Sequence, residues 1–576
     1  MSILKKLKAR LQGLFMGNQA NPLEEDEQAI VEDGYSWIPN WERILGEDWH
    51  RWLMLLDKPR NGPRVLITTM VGGNSSLSPL ETVYAVALTL RGADVHLMIC
   101  DKALDACQNC QSKDRESQED FIKNGPSACD WCFDVGMRSL GQLGLPIVKY
   151  SDHVESSDYD EVNSSIKDLS LDKLLTYESE GVDHSDIVKS SVLRYFGRCD
   201  LENEPLVIPV ARRFLTASLI TNKALNRLFK KNKYDHVLSN QAMYVPQLNV
   251  AKVANLQGSH LVAWDIGYRQ NTVNFCHDET HLFALADEPN ENWEHLEWNE
   301  DMESEIREYL EGRWSSKYDW LKILTEGEET APDDVLTELA INREKPIIGM
   351  LTNVLWDAQV SYKASAYPNQ IAWIVDTIKY FAERKDLQLL IRIHPSELYG
   401  WIESRQFVLK ELEKHFDRLP ENVFVIPPES KINTYKAMMN CDTVLIYGTT
   451  AGLEMLCMGI PVIVSGRAWI RNKKLCKAVS TPEEFKVALN ELPRGSRLDE
   501  AEHRRALKYA YHFYLRRMIP LSCTEPFPAK FAPYRIKQQP LSSFDKGSDP
   551  GLDVICDGIL NRAEFIYAAE KRPSGS

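Results

Sequence analysis

The run Thr443-Val444-Leu445-Ile446-Tyr447 leads into Gly448-Thr449-Thr450-Ala451-Gly452-Leu453-Glu454 and then, four residues on, into Gly459-Ile460-Pro461-Val462-Ile463-Val464. This order leaves the chain few folds to choose from. A short unbroken apolar run, a Gly/Thr turn, a helical stretch of one or two turns and a second apolar run read as strand, turn, helix, strand. That is a βαβ unit of a parallel sheet. The first N–H groups of such a helix have no intrahelical partner. With the helix dipole they form an anion seat, to which Thr449 and Thr450 add hydroxyl donors. Glu454, one turn later, is placed to accept from ribose hydroxyls. Together these residues describe a seat for a nucleotide-sugar phosphate, although a Gly-rich strand-to-helix turn also occurs in other doubly wound proteins.

A second unit of the same kind opens the body of the chain, near Trp37. Arg64–Thr69 reads as a strand, 70–79 as a Gly/Ser loop, Leu80–Arg91 as a helix closed by Gly92, and Val95–Cys100 as the next strand. Asp235–Asn240 and His260–Asp265 read as later strands with polar residues at their C-terminal ends, where ligands bind in open α/β sheets. Residues 150–190 are polar and read as an insertion with one or two surface helices, and 287–340 as an acidic interdomain region. Pro346–Leu351, Leu387–His394 and Val423–Ile426 supply strands of a second sheet. Ala506–Met518 reads as a long helix, 524–550 as a Pro/Ser-rich tail, and Val554–Glu570 as a last helix. At 576 residues the chain exceeds one core. The expected divisions are 1–35 (basic helix and acidic linker), 36–335, 336–520 and 521–576.

The Gly-Leu-Glu-x4-Gly-x-Pro-Val-Ile pattern resembles the donor-binding half of GT-B glycosyltransferases. Thr352-Asn353-Val354-Leu355-Trp356-Asp357 and His394-Pro395-Ser396-Glu397 narrow the resemblance to bacterial capsule-polysaccharide biosynthesis proteins, the group that includes Kdo transferases. It covers roughly the C-terminal half, and the N-terminal half more loosely. It implies an α/β fold of two Rossmann-like doubly wound domains facing a cleft. The His-Pro pair resembles the element that holds the nucleotide phosphate in CMP-sugar enzymes, with His394 near the leaving group. Arg392 shares its face by strand alternation. Glu397 is expected at the turn or on donor hydroxyls. Asn433 and Thr434 are expected at the nucleotide or as helix caps. Asp357, Asn74, Ser75 and Arg269 are candidates for the acceptor side of the cleft. Asp265 is the first candidate for the catalytic base, with His277, Asp278 and Glu279 as rivals. Glu81 reads first as a helix-dipole carboxylate. Ile446 stands eight residues before Glu454, so the Glu-x7-Glu of many retaining GT-B enzymes is absent, which favours inversion or a different donor geometry. No Asp-x-Asp of the GT-A type stands out, so no catalytic metal is expected.

Cys107-x2-Cys110 and Cys129-x2-Cys132 are separated by eighteen residues, the spacing of a four-thiolate zinc knuckle pair, within an insertion at about 100–135. The expectation is structural zinc, an iron–sulfur cluster second, or four reduced thiols. The net charge of −16 argues against a nucleic-acid binder. Residues 1–17 set Ile3, Leu4, Leu7, Leu11, Leu14 and Phe15 at helical spacing among Lys5, Lys6, Lys8 and Arg10. Such a helix suits an anionic membrane surface or docking on protein. No transmembrane run and no secretory signal stand out, so a cytoplasmic protein is expected, with residues 2–17 as its contact to the inner face of the plasma membrane. The functional expectation is transfer from a nucleotide sugar, CMP-linked by preference, to a glycan or glycolipid acceptor. The alternatives are a UDP-sugar 2-epimerase of the same fold and a non-catalytic scaffold in a glycan assembly complex.

Overall fold

The computed structural model describes residues 37–111, 117–314, 319, 335–357, 364–400, 402–527 and 534–571. The basic helix and acidic linker expected over 1–35 lie outside them. The described chain builds two parallel sheets. The first takes strands β1 (Arg64–Thr69), β2 (Asp94–Ile99), β3 (Ile147–Lys149), β4 (His236–Asn240), β5 (His260–Ile266) and β6 (Thr272–His277). The second takes β7 (Ile347–Leu351), β8 (Gln388–Arg392), β9 (Val423–Ile426), β10 (Thr443–Ile446), β11 (Val462–Val464) and β12 (Lys477–Ala478). A last strand, β13 (Ile519–Pro520), returns to the first sheet. The orders are β13-β6-β5-β4-β1-β2-β3 and β9-β8-β7-β10-β11-β12. Only β6 and β13 run antiparallel to their neighbours in these sheets. Covered on both faces, the central strands are buried along most of their length, which is why they read as apolar runs rather than alternating ones. This is the doubly wound, two-sheet α/β architecture expected.

Seven helices matter for the site. They are α1 (Ser78–Leu90), α2 (Cys129–Leu140), α3 (Val207–Lys231), α4 (Glu300–Trp314), α5 (Ala451–Cys457), α6 (Glu500–Tyr511) and α7 (Pro550–Asn561). Helix α1 carries Pro79 in its first turn, where a missing N–H costs nothing, and buries all but its last residue. The sheet lies on one side of it and the chain's C-terminal part on the other. Cys523, Tyr534, Phe544, Leu552 and Ile555 share one core with Val65, Leu88 and Trp264. Arg91 ties this segment down through Asp553 at 2.6 Å and the Phe544 carbonyl at 2.8 Å. Packing therefore assigns 521–527 and 534–565 to the first domain, while Ala569 returns to the second domain's core. It also assigns Leu285, Trp293, Met302, Ile306 and Leu310 to the second, where they pack with Ile446, Leu453 and Tyr509. The chain crosses between domains at both places.

A third crossing is a clasp. The Arg405 N–H donates to the Gly197 carbonyl at 3.0 Å, the Cys199 N–H donates to Gln406 Oε1 at 2.9 Å, and Arg405 pairs with Glu204 at 3.2 Å. Gly197 sits at φ +61°, and a Cβ there would come 2.1 Å from the Glu403 carbonyl oxygen, so only glycine fits.

Candidate active-site cleft

Both sheets end on their C-terminal edges in polar loops, and these loops meet. Asp357, six residues past β7, is exposed to solvent yet feels Arg194 and Asp265 of the first domain. Protein around it raises its carboxyl above the usual range. Tyr268, just past β5, lies in the electrostatic field of Arg313, Asp357 and Asp265. Parallel strands thus deliver residues from both domains to one cleft, as open α/β sheets do.

On the second domain's wall, β8 runs into His394-Pro395. The His394 N–H donates to Thr352 Oγ1 at 2.9 Å, which fixes it against the end of β7. The Ser396 N–H donates to His394 Nδ1 at 3.1 Å. A backbone N–H can only donate, so Nδ1 accepts and the ring proton resides on Nε2. Burial, and then the Arg392 charge, push the imidazole down to about 4. His394 is therefore a neutral Nε2–H donor at physiological pH.

The other predicted residues of this wall divide by what already occupies them. Arg392 donates to the Pro427 and Ser430 carbonyls and to Thr434 Oγ1, and thus anchors the loop after β9. Glu397 is buried, accepts the Val408 N–H at 3.0 Å and is pushed up to about 7 by burial. Asn433 caps the helix Thr434–Met438 by accepting from Tyr435 and Lys436 N–H groups. Thr449 Oγ1 accepts the Ala451 N–H at 3.3 Å, and Thr450 stands at the N-cap of α5 with no side-chain cap bond. Both threonines are partly exposed. Glu454 is 1 % exposed. It accepts from Arg313 Nε at 2.9 Å, from the Tyr435 hydroxyl and from the Tyr514 hydroxyl at 3.3 Å. Arg313 comes from α4 and lies over the rings of Tyr268 and Tyr514. It was invisible to sequence reasoning because 141 residues separate it from Glu454.

On the first domain's wall, Asp265 is near the end of β5. Its Oδ2 accepts from Gln241 Nε2 at 3.0 Å and its Oδ1 from the Ile266 N–H at 2.8 Å. Gln241 and Ala242 hold φ values of 52° and 53°, an uncommon conformation for non-glycine residues, right at the end of β4. The rivals His277 and Asp278 are elsewhere. His277 pairs opposite Val262, near the start of β5, and Asp278 pairs with Arg562, so both belong to the opposite edge of the sheet. Asn74 Oδ1 accepts the Ser76 N–H at 3.0 Å and shapes the loop after β1, while Ser75 is buried. The Tyr534 hydroxyl donates to the Ser76 carbonyl, so the C-terminal segment braces this loop. Arg269 donates to the Met518 carbonyl at 3.3 Å. Glu81, first read as a dipole carboxylate, is 2 % exposed and pushed up to about 7 by burial.

The thiols gather around the same loop. Cys107 and Cys110 share a turn in which the Cys107 N–H donates to Cys110 Sγ at 3.4 Å. Cys129 and Cys132 lie in the first turn of α2, and the Gly73 N–H donates to Cys132 Sγ at 3.3 Å. Among the described residues no group of three or more His, Cys, Asp or Glu side chains is arranged to hold a metal ion. Among them, too, no helix is long and apolar enough to cross a membrane.

Residues 312–514 match the family described as capsule polysaccharide biosynthesis protein. The matched segment is 203 of the chain's 576 residues, 514 less 311. It contains β7 through α6, and with them Arg313, Arg392, His394, Glu397, Asn433, Thr449, Thr450 and Glu454. No curated protein matches the chain. Solved structures similar to it include KpsC beta Kdo 2,4 transferase from Thermosulfurimonas dismutans, at 14% identity over 50% of this chain and 83% of that one, with a TM-score of 0.33. The KpsC beta Kdo 2,7 transferase of the same organism gives 13% identity over 51% and 81%, with a TM-score of 0.29. HepE from Anabaena in complex with UDP-glucose gives 12% identity over 78% and 95%, with a TM-score of 0.26. At such identities and scores nothing about ligand or reaction passes from them to this chain.

Proposed function

We propose that this chain is a GT-B glycosyltransferase of capsule assembly, moving a sugar from a nucleotide, CMP-linked by preference, to a glycan or glycolipid acceptor with inversion and without a catalytic metal. The observation that carries the reading is the His-Pro turn at the end of β8, whose imidazole is fixed as a neutral Nε2–H donor on the same sheet edge as the Gly-Thr-Thr turn after β10, with β7 between them. In the proposed reaction Asp265 takes the acceptor hydroxyl proton and the freed oxygen attacks the anomeric carbon. The bond from that carbon to the phosphate oxygen breaks, and negative charge collects on the leaving phosphate. His394 Nε2–H stabilises that charge without itself being titrated away. Transfer should fall by about 10²–10³ in kcat for His394→Ala, the usual loss for one such donor. His394→Gln, which keeps an N–H near that position, should retain more. Unchanged transfer by His394→Ala would remove the histidine from the reaction.

We also propose that Cys107, Cys110, Cys129 and Cys132 take up zinc, with the two pairs drawing together around it. The support is their spacing and the approach of Cys132 to the loop after β1 through the Gly73 N–H. Elemental analysis of the purified chain should find one zinc per molecule, and Cys110→Ser with Cys129→Ser should lose it together with thermal stability. Metal-free protein whose stability ignores both substitutions would end the proposal.

A further inference from the structure

Two large aromatic side chains stand out into solvent among the described residues, Trp131 at 39% and Tyr399 at 60% exposure. Each is on a sheet edge that borders the cleft. Tyr399 follows His394-Pro395 on the second domain, and Trp131 is in the first turn of α2 on the first. That turn reaches the C-terminal edge because β2 and β3 are parallel neighbours and α2 runs back between them. The six-membered ring of Trp131 lies against the loop after β1. A Cβ at Gly73 would come 2.4 Å from Trp131 Cζ3, and one at Gly72 would come 2.6 Å from the Gly136 Cα, so only glycines let this loop lie flush on α2. The Gly73 N–H, donated to Cys132 Sγ, ties loop and helix together. The same turn is linked to the middle of the cleft. Arg194, the first-domain cation that acts on Asp357 of the opposite wall, also acts on Cys107, and Cys107 and Cys132 both act on Cys100. Trp131 is thus an indole held along one edge by the cleft loop and more than a third open to solvent. Its π face is negative and attracts weakly positive C–H groups. A pyranose presents such groups on one side of its ring and hydroxyls around its rim. The partly exposed Asn74, next after Gly73, adds polar character beside the ring. A flat aromatic surface with polar neighbours, on the wall facing the nucleotide motif, suits a sugar.

We propose that Trp131 is the stacking platform for a sugar ring of the acceptor, which it seats on the first domain's wall of the cleft. The assignment rests on the glycosyltransferase reading and deepens it, because it makes the carbohydrate part of the acceptor, rather than a lipid, what this wall holds. The test is saturation-transfer NMR of the full chain with maltotriose, cellotriose and chitotriose as probes, repeated with Trp131→Ala, Trp131→Leu and Trp131→Phe. The wild type should pass saturation to the ring C–H protons of at least one probe. Trp131→Ala should bind that probe roughly tenfold more weakly, the scale of one aromatic stack. Trp131→Leu, which keeps apolar bulk against Gly73 but has no π face, should bind as weakly while melting with the wild type, so a fold weakened in the Ala variant does not decide the outcome. Trp131→Phe should recover most of the binding. The rise in melting temperature caused by a nucleotide should be the same in all four proteins, since the donor belongs to the other wall. Sugar binding unchanged in Trp131→Leu, or a wild type that takes none of the three probes, overturns the platform and leaves the transferase reading standing. A nucleotide shift lost in Trp131→Leu while sugar binding persists means that the indole stacks on the base, and the acceptor assignment is wrong. A wild type that no nucleotide stabilises overturns both.

Discussion

Arg313 is an unusual residue to find facing a nucleotide motif. Its side chain is 10% exposed, it pairs with Glu454 and Asp319, and two tyrosine rings flank it. Removing one partner of such a pair leaves an uncompensated charge inside the protein, at about 3–5 kcal/mol. Glu454→Ala should therefore destabilise the chain by about 3 kcal/mol, the low end, because Asp319 still faces Arg313. A urea midpoint with an unchanged m-value measures this, and a loss under about 1 kcal/mol would show that the pair carries little. The Gly-Leu-Glu spacing that drew attention to this position was legible in the sequence. Its occupant was not, because a side chain 141 residues upstream satisfies the carboxylate. His394 divides in the same way. The His-Pro pair could be read directly, whereas its tautomer follows from one backbone N–H that only the folded turn supplies.

The starts of β4 and β5 and the end of β6 bring three histidines into a row. His236 Nδ1 lies 2.9 Å from His260 Nδ1, and His260 Nε2 lies 2.8 Å from His277 Nδ1; Phe565 stacks on His277. Burial comes first and the Arg562 charge second in pushing His260 down to about 4, and burial lowers the other two. A depressed histidine binds fewer protons folded than unfolded, so its stabilisation is present above about 6.5 and is lost as the pH falls toward 4. Glu81 and Glu397, pushed up to about 7, act in the opposite sense over the same range. The row is therefore isolated by difference. The melting temperature of His260→Asn should fall less between pH 7.5 and pH 5 than that of the wild type; an equal or larger fall would mean that the row does not titrate with folding. At this scale the central strands were legible as apolar runs, because burial on both faces erases alternation. The antiparallel β6 was missed: Thr272-Val273-Asn274-Phe275 mixes polar and apolar residues, and pairing with β5, not composition, makes it a strand. The final helix was expected over 554–570 and is found at 550–561, since Asp549 caps it, Pro550 opens it and Arg562 ends it at φ 56°.

For the whole molecule, length gave two domains and motif order gave two sheets, but not the exchange of segments between them. Residues 521–527 and 534–565 pack on the first domain, and 285–310 on the second, because each carries apolar side chains that complete a core built far away in the sequence. A composition rich in Pro and Ser hid the first of these. The exchange, with the clasp at Gly197 and Arg405, sets the two C-terminal sheet edges against one cleft, and the central claim is that a nucleotide sugar binds there. The most direct measurement is the melting temperature of the full chain with CMP, UDP, GDP and TDP in turn. A ligand that binds only the folded state stabilises it by about 2.7 kcal/mol at a hundredfold excess over its Kd. The account predicts a rise with one of the four, CMP foremost, that shrinks in His394→Ala. A melting temperature that none of the four moves would contradict it.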